Sequence, residues 1–564
     1  MKFTEFEYTR PEMTTFTQQF EALIRQFKEA TTFEEQDQLF SAINQLRIEF
    51  NSMYNICYIR HTIDTKDEFY ENENNFFDEQ TPNFQALNTE FYRQLLQSKF
   101  RKELEEKWGS QFFVIAELSL KTFKPTILED LQEENRLSSE YVKVKAGAKI
   151  DFRGETYNLS SIVPLEGAKD RTTRREATTA KWAFFAEKEE KVAHIYDQLV
   201  KVRHRIAVKL GYRNFVELGY VRMLRSDYDA KMVANFRKQV EQYIVPLATK
   251  LYERQRKRLG LDTLKFYDED FRFQSGNPKP KGDPSWILGN ADKMYADLSP
   301  ETQEFFRFMR ENELMDLLAK SKKATGGYCT YIDKYKAPYI FSNFNGTSAD
   351  IDVLTHEAGH AFQVYSSREL GIREYNWPTF EACEIHSMSM EFFTWPWMHL
   401  FFKDEADKYR FSHLSNAICF LPYGVAVDEF QHFVYENPEA GPAARNEVWR
   451  AIEQKYLPHR DYDGNDFLER GGFWHKQSHI FSMPFYYIDY TLAQICAFQF
   501  WKKDQENHQS AWSDYLRLCQ AGGSLSFLDL VKLANLKSPF EDGTVKSVVG
   551  LIEEWLEGVD DKAF

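Results

Sequence analysis

Two histidines four residues apart, in Thr355-His356-Glu357-Ala358-Gly359-His360, constrain this chain more than any other stretch. On a helix of 3.6 residues per turn they stand one turn apart on the same face, so both imidazoles can reach one metal ion. Glu357 then lies beside any water that ion holds. Two neutral nitrogen ligands, an open coordination position and a carboxylate to take a proton are what a zinc hydrolase needs. The flanking residues agree with a helix, because Val353, Leu354, Ala358, Ala361 and Phe362 supply apolar positions behind the ligands. Ahead of it, 337–345 reads as an extended β segment, Gly346 as a turn and Thr347-Ser-Ala-Asp350 as a capping box. The bland alternative is two histidines packed on a buried helix without a metal, a rare use of a packed face.

Catalytic zinc keeps three protein ligands and leaves the fourth position to water, so one more is required. Glu384 is the candidate. It lies in Phe380-Glu-Ala-Cys-Glu-Ile-His-Ser-Met-Ser-Met-Glu-Phe-Phe393, an apolar helical stretch in which Glu381, Glu384 and Glu391 fall along one stripe. Buried carboxylates are costly unless cations or donors meet them. Glu384 is therefore assigned to the metal, and Glu381 or Glu391 to holding a ligand histidine by its other ring nitrogen. The competing reading is a solvated helix face, which the apolar neighbours disfavour.

The motif, Glu384 in its Glu-Ile-His-Ser-Met-Ser-Met-Glu context and the lead-in Phe344-Asn-Gly-Thr-Ser348 together resemble the thimet oligopeptidase family, in its bacterial oligoendopeptidase F and Pz-peptidase branch. Arg174-Arg175-Glu176-Ala177, 209–220, 422–431 and Pro484-Phe-Tyr-Tyr-Ile-Asp-Tyr490 extend the resemblance over roughly residues 140 to 550. It implies a mainly α, two-lobed, zincin-like (gluzincin) peptidase with a deep central channel, small β elements near the active site and one Zn2+ per chain. Short peptides are the implied substrates. By the same resemblance His479, Tyr486 and Tyr490 line the cleft and hydrogen-bond the substrate carbonyl. Tyr487 is the alternative to Tyr486, since the register around Pro484 departs from the mammalian pattern. Packed core tyrosines are the other reading. Two rival functions stay open: a related gluzincin exopeptidase of the angiotensin-converting or carboxypeptidase Taq type, and a non-catalytic peptide-binding protein of the same fold.

The rest of the chain reads as helices around that centre. Phe16, Phe20, Leu23, Ile24 and Phe27 recur at three and four, and similar stripes run on to Phe100. Pro82 and Pro125 interrupt any heptad, so 1–140 is expected to form an antiparallel helical lobe closing over the channel and not a coiled-coil arm. Residues 141–165 alternate, starting at Tyr141-Val-Lys-Val-Lys145, and predict a β-hairpin insertion. The catalytic helical region is then 166–564. Within it 276–284 is a loop, and Ser299-Pro300 opens a helix. Residues 326–331 and 337–345 predict two edge strands that a peptide substrate could join. Pro484 marks a helix start, and Gly471-Gly472 is either a hinge or a turn.

Charge and composition narrow the partners. A net charge of −15 with dispersed basic residues argues against nucleic acid. The cluster Arg171, Arg174, Arg175 is better explained by salt bridges than by substrate carboxylates. No apolar signal core opens the chain and no run approaches the eighteen or so apolar residues of a membrane span, so a cytoplasmic, membrane-free protein is expected. The 6 cysteines show no Cys-x-x-Cys pair and read as reduced core residues. His386, His399, His413 and His432 lack ligand spacing and read as structural.

Overall fold

Apolar residues at helical spacing dominate the chain, and helices dominate the computed structural model, which describes residues 1–320 and 322–564. Contacts cluster into two units, each assembled from three separated stretches. Met1–Lys121, Lys279–Ala406 and Cys496–Leu536 make the first; Thr122–Pro278, Asp407–Ile495 and Lys537–Phe564 make the second. The packing thus does not follow consecutive stretches 1–140, 141–165 and 166–564. Helix Leu128–Ala146 belongs to the second unit because Glu134 on it receives the buried Arg203 of helix Glu189–Leu210, at 2.7 Å.

In the first unit, helices Met13–Glu29, Phe33–Ile63 and Glu68–Leu96 bury Phe20, Phe40, Phe50, Phe77, Phe84 and Phe91 against one another, with Phe50 stacked on Phe84 at 4.2 Å. Each starts on a side-chain cap, from Glu12, Thr32 and Asp67 respectively. Pro82, which interrupts the heptad pattern, lies inside the third helix, and the helix runs through it. Proline removes one N–H from the ladder, and both Pro82 and Asp78, whose carbonyl loses that donor, are exposed to water. The fully buried Arg47 is held by Asn88, Tyr92 and Glu374.

The same unit holds a three-stranded sheet. Ala337–Phe344 is its centre, with Met315–Leu318 parallel on one side and Tyr328–Ile332 antiparallel on the other. Of the two edge strands expected, only 328–332 is one; 337–344 is central and almost wholly buried. The strand that covers it, Met-Asp-Leu-Leu, is too short and too little alternating to announce itself. The sheet feeds directly into helix Ala349–Ser366, and helix Phe380–Phe393 packs against that one. Helix His508–Ala521 lies on their far side, where Tyr515 donates to the His386 carbonyl at 2.8 Å. The 347–350 stretch is not a capping box. Asp350 reaches backwards to accept from Asn345 and Gly346 N–H, both at 2.8 Å, and so ties the turn to the helix it precedes.

In the second unit the alternating Tyr141-Val-Lys-Val-Lys145 is helical, and the hairpin is confined to Ile150–Phe152 and Glu155–Tyr157 across an Arg153-Gly154 turn with both φ positive. Tyr141 and Lys145, four apart, sit on one helical face: Tyr141 stacks on Phe481 and donates to the His475 carbonyl, and Lys145 donates to the Lys476 carbonyl and Ser478. That shared anchorage decides helix over strand. Gly471 and Gly472 form a packed turn: a Cβ on Gly471, φ +90°, would meet the Asn446 carbonyl oxygen at 2.0 Å. Arg171 and Arg174 both hold Asp268. The helix expected at Pro484 starts at Tyr487, after Phe485 turns through φ +68°. Among the described residues no disulfide joins the cysteines, and no helix is long and apolar enough to cross a membrane.

Candidate metal centre

Helix Ala349–Ser366 carries His356 and His360 one turn apart, with their rings 5.0 Å between centroids and nearly perpendicular. Helix Phe380–Phe393 brings Glu384 to both. Its Oε2 lies 3.2 Å from His356 Nε2 and 3.6 Å from His360 Nε2, and one donor atom from each of the three residues falls within 4.8 Å of the others. Ligands about 2.0–2.1 Å from a zinc ion at tetrahedral angles are about 3.4 Å apart. Two nitrogens and one carboxylate oxygen at these separations fit such an ion.

The two helices can approach this closely because Gly359 faces the second one. A Cβ there would come within 2.6 Å of Ser387 Cα and 2.7 Å of the His386 carbonyl oxygen. Glu391, two turns beyond Glu384, takes His356 by its other nitrogen: Nδ1 to Oε1 is 2.7 Å. This fixes the ring so that Nε2 points at the site. Ser387 donates to Glu384 Oε2 at 2.9 Å and orients that carboxylate. Glu381 is fully buried on the same helix. Serine at i+3 from a ligand glutamate was the available signal for Ser387, and the spacing alone did not distinguish Glu391 from Glu381.

Electrostatics follow from burial and mutual proximity. Burial opposes charge on His356, but Glu384 and Glu391 overcome it and hold the imidazole well above its ordinary pKa. Burial would raise Glu384, and the two histidines instead pull it well below the carboxylate range. A divalent cation can take the place of the proton these groups share. Glu357 is buried too, and desolvation raises its carboxyl against the pull of both histidines. It sits next to the start of the edge strand, since a Cβ on Gly327 would lie 3.9 Å from Glu357 Oε1. His386 is held neutral by burial, its pKa pushed down to about 4.

His479, Tyr486, Tyr487 and Tyr490 form a cluster of their own in the second unit. His479 lies 5.7, 4.9 and 6.0 Å, ring to ring, from Tyr486, Tyr487 and Tyr490, and Tyr486 and Tyr490 are 4.9 Å apart. All four are half-buried. Gln477, which the sequence did not single out, accepts from the Tyr423 hydroxyl at 2.7 Å and donates its amide to His479 Nδ1 at 2.8 Å. With the amide in this orientation, His479 carries its proton on Nε2. Arg203 anchors the short helix before the tyrosines by donating to the Ile480 and Phe481 carbonyls.

Comparison with known proteins agrees with this geometry. Residues 3–123 match the Peptidase M3 N-terminal domain and residues 301–549 match Peptidase family M3. A solved structure of Pz peptidase A with an inhibitor is 63% identical over 100% of both chains, with a TM-score of 0.94. A chain from Bacillus anthracis assigned as an oligoendopeptidase F is 56% identical over 100% of this chain and 99% of that one, with a TM-score of 0.90. An oligoendopeptidase-F from Enterococcus faecium, 15% identical over 98% of this chain and 99% of that one with a TM-score of 0.64, shares the fold. None of the curated proteins matches. Two matching family models and end-to-end likeness to Pz peptidase A place the chain in peptidase family M3, in its oligoendopeptidase F and Pz-peptidase branch, and make it a metallopeptidase.

Proposed function

We propose that this metallopeptidase is a zinc-dependent endopeptidase of short peptides, with one zinc ion per chain held by His356, His360 and Glu384. The observation that carries the reading is the convergence of three donor atoms from two packed helices to within 4.8 Å. A bound zinc supplies a Lewis acid that polarises the scissile carbonyl and acidifies water. Glu357 takes the proton of the attacking water and passes it to the departing amine; its burial, which favours the protonated form, suits the second half of that task. Glu391 keeps His356 oriented, and Ser387 keeps Glu384 oriented. His479 as an Nε2–H donor, with Tyr486 and Tyr490 beside it, is assigned to the substrate carbonyl. The edge strand 328–332 offers its Gly327 end, beside Glu357, as the place where a peptide backbone is added as a strand. Backbone recognition of that kind tolerates many side chains.

The deciding experiment combines metal analysis with an internally quenched peptide blocked at both ends. Cleavage that chelation abolishes and zinc restores is expected. An intact blocked peptide beside a cleaved unblocked one would give the site to an exopeptidase instead. Glu357→Gln is expected to keep its zinc and lose on the order of 10³ or more in kcat, and near-normal turnover in that variant would take Glu357 out of its role.

A further inference from the structure

A cavity of about 260 Å³ opens in the second unit. Four cationic side chains line it, Lys181, Arg272, Arg460 and Lys476, against three carboxylates, Glu166, Glu269 and Asp270. Two of the acids are committed: Glu166 to Lys181 at 3.0 Å and Glu269 to Arg460 at 2.7 Å. Asp270 is exposed. That leaves Lys476 and Arg272. Among the described residues neither their ammonium nor their guanidinium meets a carboxylate or carbonyl partner at bonding distance. Lys476 Nζ instead lies over aromatic faces, 4.1 Å from the Phe473 centroid, 5.7 Å from Tyr423 and 5.9 Å from Trp182.

A half-buried ammonium with no carboxylate at bonding distance is costly, and the faces of aromatic rings offset only part of the cost. The backbone that presents it is nonetheless pinned, by Tyr141 on the His475 carbonyl and Lys145 on the Lys476 carbonyl. Burial, with Lys181 and Arg460 nearby, draws the Lys476 ammonium down to about 7, so an arriving anion would also secure its proton. The aromatic walls continue into the histidine–tyrosine cluster. Phe420 and Tyr423 line the cavity, and their rings lie 5.7 and 5.8 Å from that of Tyr487; Tyr423 also donates to the Gln477 that holds His479.

We propose that this cavity is a carboxylate-binding subsite for peptide substrates, in which Lys476 and Arg272 pair with the anion while the aromatic walls take the adjoining residue. The inference rests on the peptidase reading and on the placement of His479 at the substrate carbonyl. A peptide's C-terminal carboxylate and an acidic side chain share the chemistry required.

Calorimetry on the full-length Glu357→Gln protein tests it, because peptides then bind with little turnover. The probes are one heptapeptide as the free acid, the same peptide amidated, and the amidated peptide with one internal glutamine replaced by glutamate. At least one charged probe is expected to bind about tenfold or more tighter than its neutral counterpart, the size expected of a charge-assisted hydrogen bond. Which pair shows the difference identifies the source as chain terminus or side chain. Adding Lys476→Met should collapse the ratio towards one, and Arg272→Gln, at a partly exposed position, should reduce it if the lysine variant does not fold. Equal affinity for all three probes overturns the proposal, as does a charge preference that survives both substitutions. Hydrolysis of the same probes by the wild-type enzyme is read separately: failure to cut any of them would sink the peptidase reading, and the calorimetry would still judge the cavity.

Discussion

His356 is held from two sides, by Glu384 at one ring nitrogen and Glu391 at the other, and only the second contact is independent of the metal position. A neutral amide at 391 preserves the shape but weakens the hydrogen bond that makes the ring a good ligand. Glu391→Gln is therefore expected to weaken zinc affinity about 10- to 100-fold while the folded protein persists, measured by competition with a chromophoric chelator; unchanged affinity would reduce Glu391 to a packing role. At this scale the sequence was informative where chemistry is expensive. A glutamate among Ala382, Cys383, Ile385 and Met390 has to be met by a cation or donor, and that reasoning led to Glu384 without coordinates. It could not separate Glu381 from Glu391, because both lie on the stripe and the choice depends on how far along the neighbouring helix His356 stands.

The packing of helix Ala349–Ser366 on Phe380–Phe393 sets the metal geometry, and the contact turns on a residue with no side chain. Gly359→Ala would drive a methyl group into the backbone at Ser387 and His386, atoms that cannot move aside by changing rotamer. The expected result is a loss of about 1–3 kcal/mol in denaturant unfolding, together with reduced zinc retention. A variant of wild-type stability that keeps its zinc would show that the helices can separate at little cost. Helices were legible in the sequence because their apolar period is long and repeated. The errors fell where a short pattern competes with a distant contact: Tyr141–Lys145 alternates like a strand, yet its anchors are His475, Lys476 and Ser478, more than three hundred residues away. Strand Met315–Leu318 was missed for the complementary reason, since four residues carry too little period and only its partner Ile340–Phe344 gives it a role.

Over the whole molecule, buried titratable groups predict how stability responds to acid. Burial holds His432 and His475 down to about 4 and about 3. Glu134, Glu269 and Glu374 would be raised by burial, but Arg203, Arg460 and Arg47 keep them below the carboxylate range. In each case the unfolded chain binds protons at higher pH than the folded one. Their stabilisation is complete above the unfolded values and is lost as pH falls, from about 6.5 for the histidines and from about 4.3 for the glutamates. Melting temperature at saturating zinc should thus fall between pH 7 and 5 and more steeply below 4, and His432→Gln should remove part of the upper slope. A flat profile down to pH 4 would contradict the assignment. The discontinuous make-up of the first unit has a consequence for biosynthesis. Its last stretch, Cys496–Leu536, supplies Trp512 and Tyr515, which stack on Phe362, and Tyr515 also donates to the His386 carbonyl. A chain ending at Ile495 should accordingly fail to retain zinc in metal analysis. Hydrolytic capacity would then arrive only once a ribosome has passed Leu536, so that copies released before that point are proteins without teeth.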